Sequence, residues 1–358
     1  MNQRGNLLSL LRRTGYEFIP CQFSLTPHLI NVFHEKTGYS GFYEDYFDMP
    51  WRDIPDIKVP DNSGQFLSWY PLPLKEGTKI DDWGIAHEPG SAQAMHMTRM
   101  LHPLQGIEDF GKIKEYPFPK FEEGNGTGQR LSVEELHKRG LAAVGNMQMT
   151  IWETAWYLRS MEDLMMNMMS EEPAAAFILD KVTEQAIIRA LSYTKAGVDI
   201  LYLGDDIGMQ SRIMMSVELY RTWLKPRLKR IIDAAKVLNP NLIIIYHSCG
   251  YVLPFIDDLI DAGVDVLNPI QTESMDYREV IAIFGDRLSF HGCIGTQRLM
   301  PFGTSAEVRA AVKECLDSMG SRGGMMVAPT HILEPEVPWE NILAYVEACR
   351  AYRPGGIV

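Results

Sequence analysis

The sequence of 358 residues predicts a (β/α)8 barrel, and three observations support this fold class. From about residue 140 onward, short apolar runs alternate with amphipathic stretches of helical period, which is typical of βαβ units and a parallel sheet. Polar residues and glycines follow the apolar runs, at the strand ends where α/β folds hold their chemistry. No Gly-x-Gly-x-x-Gly turn follows the first strand, so a doubly wound dinucleotide-binding sheet has no support.

Seven apolar runs are predicted to be barrel strands. They are residues 17–23, 142–149, 200–203, 242–246, 264–268, 288–290 and 325–328. Most of them precede a helix-like segment, such as residues 218–237, 252–261 and 305–319. The sequence pattern does not identify an eighth strand.

Residues 30–135 have a different character, with many aromatic residues and prolines and weak periodicity. Insertions in barrels lie in loops, and the loops at the carboxyl ends of the strands build pockets. We therefore expect residues 30–135 to form a cap over the barrel mouth. The whole chain, residues 1–358, is then one barrel domain.

The composition favours a globular protein that acts on small molecules. Hydrophobic residues make up 46% and charged residues 22%, and the net charge is −12. The basic residues are scattered, so neither a nucleic acid nor an anionic membrane is an expected partner. No apolar stretch approaches the roughly 20 residues that span a bilayer, and no signal core follows the first residues. Five widely spaced cysteines do not suggest a disulfide framework, which fits a reducing cytoplasm.

The most informative motif is His247-Ser248-Cys249-Gly250, at the end of the apolar run 242–246. Side chains two residues apart on a strand point to the same side, so the motif places an imidazole beside a thiol. Both are zinc ligands, and catalytic zinc usually has three protein ligands and one open position. Ordinary burial of the cysteine is the alternative.

Two later strand ends offer a third ligand. His331 follows the run 325–328, and Cys293 belongs to His291-Gly292-Cys293, which repeats the His-x-Cys spacing. We prefer His331 and keep Cys293 as the second candidate, although either could be an ordinary pocket residue.

Three carboxylates are candidates for catalysis. Asp205 and Asp206 end the run 200–203, and consecutive carboxylates at a strand end are costly to bury unless they bind something. One of them is expected to serve as general acid/base, as metal ligand or as a partner of a ligating imidazole, with helix capping or a solvated loop as the alternatives. Glu153 follows the run 142–149 and could face the same mouth, or stabilise a helix start.

Four polar residues are weaker candidates for binding substrate or cofactor. Asn268 and Gln271 end the run 264–268 and suit hydrogen bonding, although they could equally satisfy loop backbone groups. Gln22 and Ser24 lie near the end of the first predicted strand.

At His247-Ser248-Cys249-Gly250 the sequence resembles the uroporphyrinogen decarboxylase superfamily, especially its cobalamin-dependent methyltransferase branch. In that branch a His-x-Cys-Gly motif at a strand end is followed by a helix and an Ala-Gly-x-Asp segment, here residues 262–265. Residues 331–341 look like the C-terminal signature, which ends in Pro-x-Glu-Asn. The resemblance covers roughly residues 140–350 and is looser before them.

The resemblance implies a (β/α)8 barrel and a zinc site. In the methyltransferase branch the His-x-Cys pair and a later cysteine bind zinc, and that cysteine corresponds to a position at or near His331. The decarboxylases need no metal, lack His-x-Cys, and carry an arginine-containing N-terminal segment that has no counterpart in residues 16–24.

The leading hypothesis is therefore a zinc-dependent methyltransferase that passes a methyl group between a corrinoid, free or protein-bound, and a small-molecule donor or acceptor. The first alternative is a metal-free decarboxylase acting on a porphyrinogen-like tetrapyrrole, in which Asp205 or Asp206 stabilises a protonated pyrrole. The second is a non-catalytic corrinoid- or tetrapyrrole-binding protein. Barrels of this kind often form homodimers, but no sequence feature indicates an interface.

Overall fold

We describe the protein from a computed structural model. The structure describes residues 1–60, 63–71, 73–90, 98–122, 127–319 and 322–353. In this part of the chain, no helix combines the length and the apolar character needed to cross a membrane.

Ten strands in the described residues form two sheets. They are β1 (Trp51–Asp53), β2 (Lys79–Ile80), β3 (Ala86–Glu88), β4 (Arg99–Leu101), β5 (Ala142–Gln148), β6 (Ile200–Gly204), β7 (Ile243–His247), β8 (Val266–Asn268), β9 (Ser289–Ile294) and β10 (Met325–Pro329). Seven are parallel and pair in the order β1-β5-β6-β7-β8-β9-β10, whereas β2, β3 and β4 form a small antiparallel sheet. The curled parallel sheet and its helices confirm the predicted barrel fold.

The described helices follow the alternation expected of βα units from β5 onward. They are α1 (Gln3–Leu11), α2 (Pro27–Thr37), α3 (Tyr43–Tyr46), α4 (Ser63–Phe66), α5 (Phe110–Lys114), α6 (Thr127–Lys138), α7 (Trp152–Arg159), α8 (Met161–Met169), α9 (Pro173–Ala196), α10 (Val217–Trp223), α11 (Lys225–Leu238), α12 (Ile256–Ala262), α13 (Tyr277–Phe284), α14 (Leu299–Phe302), α15 (Ser305–Met319) and α16 (Trp339–Ala351). The predicted helix 218–237 is broken between α10 and α11, and Pro226 lies in the first turn of the second helix.

The first predicted strand was wrong, and a strand was missed. Residues 17–23 do not form a strand of the sheet, and just beyond them Leu25 makes an isolated parallel bridge with Leu333. The unidentified strand is β1, which pairs with β5. Only three residues long and set in the aromatic segment, β1 has no periodicity that a sequence pattern could reveal.

The barrel interior is closed at the amino ends of its strands by α1. Four buried leucines of α1 join a core made of Trp51 and the inward-facing side chains of the strands. This core comprises Leu7, Leu8, Leu10, Leu11, Trp51, Ala142, Val144, Ile200, Ile243, Ile245, Val266 and Met326. An ion pair at 2.7 Å between Arg4 and Asp199, just before β6, holds α1 in place. The carboxyl ends of the strands, at the opposite end of the barrel, are the end that carries the cavity described below.

The segment 30–135, the predicted cap, contributes β1 to the barrel sheet. Residues 104–118 of this segment pack on helices that follow β5. The main-chain N–H of Leu104 donates to Leu158 of α7, and Phe110 and Phe118 both contact Phe177 of α9. Of its described residues, Trp51 and Asp53 line the cavity at the mouth.

Candidate functional site

Three potential ligand side chains meet where β6 and β7 end. The Sγ of Cys249 lies 3.5 Å from Nε2 of His247, as the His-x-Cys spacing predicts. Asp206 completes the group, since its Oδ1 lies 3.6 Å from the same Nε2 and accepts a 2.7 Å hydrogen bond from the Cys249 N–H. One ligand atom from each residue lies within 4.8 Å of the others. Sulfur, nitrogen and carboxylate oxygen are the ligand types that zinc takes in proteins.

Two glycines allow the ends of β6 and β7 to approach this closely. Gly250 has a φ of 83°, and a Cβ atom there would lie 2.6 Å from the Met209 carbonyl oxygen. At Gly204 a Cβ atom would lie 2.5 Å from the carbonyl oxygen of His247. Any larger residue would push the two strand ends apart, so both glycines help to form the group.

The two consecutive aspartates have different roles. Asp205 is buried, and its carboxylate accepts hydrogen bonds from the main-chain N–H groups of Ile151, at 3.0 Å, and Glu153, at 2.9 Å, where α7 begins. Burial and the Glu153 carboxyl raise the pKa of Asp205, and the N–H groups act in the opposite direction. Asp205 thus caps the start of α7, which was the alternative interpretation of its position, and its part in catalysis stays a prediction. Asp206 is the aspartate that faces His247.

Glu153 faces the same cavity and adjoins Asp206. One of its carboxyl oxygens accepts from the Tyr157 hydroxyl at 2.9 Å, and the other accepts from the Asp206 N–H at 3.2 Å. Burial, together with the negative charge of Asp206, raises the pKa of Glu153 to about 7. Such a carboxyl group can hold or release a proton near neutral pH.

Burial also acts on Cys249 and His331. Burial, followed by the charges of Asp206 and Glu153, raises the pKa of the Cys249 thiol, which favours its protonated form, and a nearby cation would act in the opposite direction. His331 lines the same cavity, and burial and His247 lower its pKa. His331 is close to the group but is not one of the three side chains within 4.8 Å of one another.

The structure does not bring Cys293 to His247, which corrects its prediction as a metal ligand. Gly292 and Cys293 have φ values of 132° and 81°, so the alternation of side chains fails within β9. His291 faces the cavity, whereas the Cys293 sulfur lies 3.7 Å from that of Met325 and interacts with Cys315 of α15. The second His-x-Cys sequence therefore does not place its imidazole and its thiol side by side, as the first one does.

The side chains of Asn268 and Gln271 form hydrogen bonds within the protein. Oδ1 of Asn268 lies 2.7 Å from Nδ1 of His247, and Oε1 of Gln271 accepts a 2.8 Å hydrogen bond from the Gly250 N–H. Both oxygen atoms thus support the His-x-Cys-Gly segment. Asn268 also lines the cavity beside His247, and Gln271 lines a neighbouring cavity, so their binding of substrate or cofactor stays a prediction.

Two cavities flank the group. The larger has a volume of about 440 Å³ and contains His247, Asp206 and Glu153 in its wall. The smaller, of about 340 Å³, is bordered by Cys249, Gly250 and Gln271. Thr330, His331 and Ile332 belong to both walls. A metal ion bound by the three side chains would lie between the two cavities.

A family model described as uroporphyrinogen decarboxylase (URO-D) matches residues 118–352. The chain belongs to the uroporphyrinogen decarboxylase family. This confirms the family predicted from the His-x-Cys-Gly motif and its C-terminal companion.

Two relatives are methyltransferases. A methylated-thiol–coenzyme M methyltransferase from Methanosarcina mazei is 24% identical over 225 residues, 61% of this chain and 56% of that protein. The match therefore spans little more than half the length of this curated relative. A solved structure of a methyltransferase from Methanosarcina mazei has a TM-score of 0.68 at 19% identity and covers 98% of both chains. At this identity the likeness shows the shared fold.

Several cavity residues of this family member were missed in the sequence. They are Trp51, Asp53, Asn146, Gln148, Tyr202, His291 and Thr330, and the weak candidates Gln22 and Ser24 line the same cavity. Asn146 and Gln148 lie two residues apart at the end of β5, so the sequence spacing could have placed both side chains on the same side of the strand. Asp53 is the last residue of the unrecognised β1, and burial raises the pKa of its carboxyl group.

Proposed function

We propose that this member of the uroporphyrinogen decarboxylase family is a zinc-dependent methyltransferase that moves a methyl group between a corrinoid and a small-molecule donor or acceptor. The observation that carries the proposal is the Asp206, His247 and Cys249 group between two cavities. The similarity to a methyltransferase over 225 residues supports the type of reaction.

The donor set suits zinc. One thiol, one imidazole and one carboxylate leave a tetrahedral ion an open position, which is the arrangement of catalytic zinc sites. A zinc ion there would stabilise a thiolate or act as a Lewis acid on a bound oxygen. His331 lines both cavities beside the group and remains the alternative ligand.

The residues around the group supply proton transfer and orientation. A thiol or hydroxyl acceptor must lose a proton as it takes the methyl group, and Glu153, with its pKa raised to about 7, can accept one in the larger cavity. Asp205 fixes the start of α7, where Glu153 lies, and Asn268 holds His247. The chain thus positions its base and its metal ligand through separate hydrogen bonds.

The size and charge of the larger cavity favour a small ligand over a porphyrinogen. A volume of about 440 Å³ suits a small molecule, so we propose that a corrinoid, free or on a partner protein, faces the site from the barrel mouth. Asp53, Glu153 and Asp206 line the cavity, and among its described lining residues there is no lysine or arginine. The carboxylates of a porphyrinogen would therefore meet like charges, which disfavours the decarboxylase alternative.

Metal content tests the proposal. We expect about one zinc ion per chain in the purified protein. The Cys249→Ala variant should lose most of this zinc, because one of three ligands is removed. Cys315→Ala, a matched change at a buried cysteine of α15, should retain it. A metal-free protein with full activity would overturn the zinc assignment.

The reaction is tested separately by following the cobalamin spectrum. Zinc-loaded protein is mixed with methylcobalamin and a panel of thiols, and with reduced cobalamin and a panel of methylated donors. We expect a spectral change in one of the two directions that is lost in Cys249→Ala and kept in Cys315→Ala. No change in either direction would contradict a corrinoid methyltransferase.

A further inference from the structure

The side chain of Asn268 can adopt one orientation only. Its Nδ2 lies 3.1 Å from the main-chain oxygen of His291 and 2.8 Å from Nδ1 of the same residue. A carbonyl oxygen only accepts hydrogen bonds, so the NH2 group of Asn268 must face His291. Its Oδ1 therefore faces the opposite side.

That orientation determines which nitrogen of His247 carries the proton. The Oδ1 of Asn268 accepts from the Tyr202 hydroxyl at 2.6 Å and lies 2.7 Å from Nδ1 of His247. Because Oδ1 can only accept, Nδ1 of His247 must carry a hydrogen. In the neutral ring the lone pair then lies on Nε2, the atom next to Cys249 and Asp206.

The same amide imposes the opposite tautomer on His291. Its Nδ1 accepts from Asn268, and its Nε2 therefore donates to Oε1 of Gln22, at 3.0 Å. Burial lowers the pKa of His291 to about 3, so this ring is neutral near pH 7, as an accepting Nδ1 requires. His291 in turn holds the Asn268 amide in its orientation.

We propose that Asn268 is a positioning residue that holds His247 as the Nδ1–H tautomer and directs the Nε2 lone pair at Cys249 and Asp206 before any metal binds. Metal-ligating histidines commonly donate their second ring N–H to an acceptor that fixes the ring. Here the acceptor is an uncharged amide anchored by a second, buried histidine. The tautomer follows from the hydrogen bonds alone, whereas its effect on zinc affinity rests on the proposed function.

Nitrogen NMR of the metal-free protein tests the tautomers directly, at a pH well above the usual histidine pKa of about 6.5. We expect the proton on Nδ1 in His247 and on Nε2 in His291. Asn268→Ala removes both the acceptor and the donor, so His247 should populate both tautomers. Asn268→Asp keeps an acceptor for His247, which should remain Nδ1–H, while His291 loses its donor.

A matched control is Asn146→Ala, the same change in the wall of the same cavity. The Asn146 side chain bonds to Asp53 and to the Gln148 N–H, so both histidine tautomers should stay as in the wild type. Circular dichroism checks that each variant is folded. If Asn268→Ala is not folded, the isosteric Asn268→Asp still tests whether the acceptor sets the His247 tautomer.

Zinc affinity is the second measurement. We expect Asn268→Ala to bind zinc about 10- to 100-fold more weakly and Asn146→Ala to bind it normally. A wild-type His247 protonated on Nε2, or an unchanged tautomer in folded Asn268→Ala, would overturn the positioning role. Wild-type protein with the expected tautomers but no affinity for zinc would instead overturn the proposed function and leave the positioning intact.

Discussion

At the scale of single residues, the informative group is the Glu153 carboxyl. Its side chain is partly buried in the cavity wall and lies near the negative charge of Asp206, so its ionised form is disfavoured and its pKa rises to about 7. Both neighbours that donate to it, Tyr157 and the Asp206 N–H, only partly offset this cost. Structure thus converts an ordinary helix-start glutamate into a group that titrates near neutral pH.

The raised pKa of Glu153 makes the free energy of unfolding depend on pH. Below the unfolded-state pKa of about 4.5, Glu153 is protonated in both states and costs nothing. As the pH rises towards 7 the unfolded chain ionises first, so the folded state progressively loses stability, by at most about 3 kcal/mol. In metal-free protein we expect Glu153→Gln to gain roughly 1–3 kcal/mol relative to the wild type between about pH 5 and about pH 8, measured by urea unfolding.

The control is Glu162→Gln on α8, whose side chain is exposed. This variant loses the same formal charge without releasing a buried carboxyl group. A difference between Glu153→Gln and the wild type that did not grow with pH would contradict the burial of an ionisable Glu153.

At the scale of elements, consecutive residues at one strand end serve two neighbouring elements. Asp205 turns back to the start of α7, and Asp206 turns towards β7. The sequence could place both aspartates at the mouth, because they follow an apolar run. The sequence could not show which aspartate contacts α7 and which contacts β7. The start of α7 and the end of β7 come next to the end of β6 only in the folded chain.

A pair of matched variants separates these roles. Asp205→Ala leaves main-chain N–H groups at the start of α7 without an acceptor, and we expect a loss of about 1–3 kcal/mol in the free energy of unfolding with zinc stoichiometry kept. Asp206→Ala should lower zinc affinity with a smaller loss of stability, because its side chain is 38% exposed. Urea unfolding and metal titration measure the two effects, and the opposite pattern would refute the division.

At the scale of the whole molecule, the barrel is closed by α1 at one end and carries the candidate site at the other. The leucines of α1 fill the interior at the amino ends of the strands, and the two cavities lie at the carboxyl ends. Stability and function are therefore expected to be separable along the barrel axis.

Leu10→Ala tests this separation. Leu10 is fully buried, so its truncation should leave a cavity and cost about 2–5 kcal/mol in urea unfolding. Zinc binding by the folded fraction should be unchanged. The control, Leu131→Ala on α6, removes a side chain that is 60% exposed and should change stability little. Weakened zinc binding in folded Leu10→Ala would show that the two ends are coupled.

The sequence by itself determined the barrel fold, the family and the pairing of His247 with Cys249. All three depend on local information, namely alternating apolar runs, a motif and a spacing of two residues within a strand end. The same local information also predicted carboxylates at the barrel mouth, of which Glu153 and Asp206 line the larger cavity. The third zinc ligand stays a prediction, with Asp206 now placed nearer to the pair than His331.

Only the tertiary structure decided which neighbours each of these residues has. The three-residue β1 exists because it pairs with β5, and Cys293 faces α15 because positive φ angles interrupt the alternation in β9. Asn268 orients His247 because β8 lies between β7 and β9, which places one amide between two histidines. These features arise from contacts between residues far apart in the chain, and local periodicity carries no information about them.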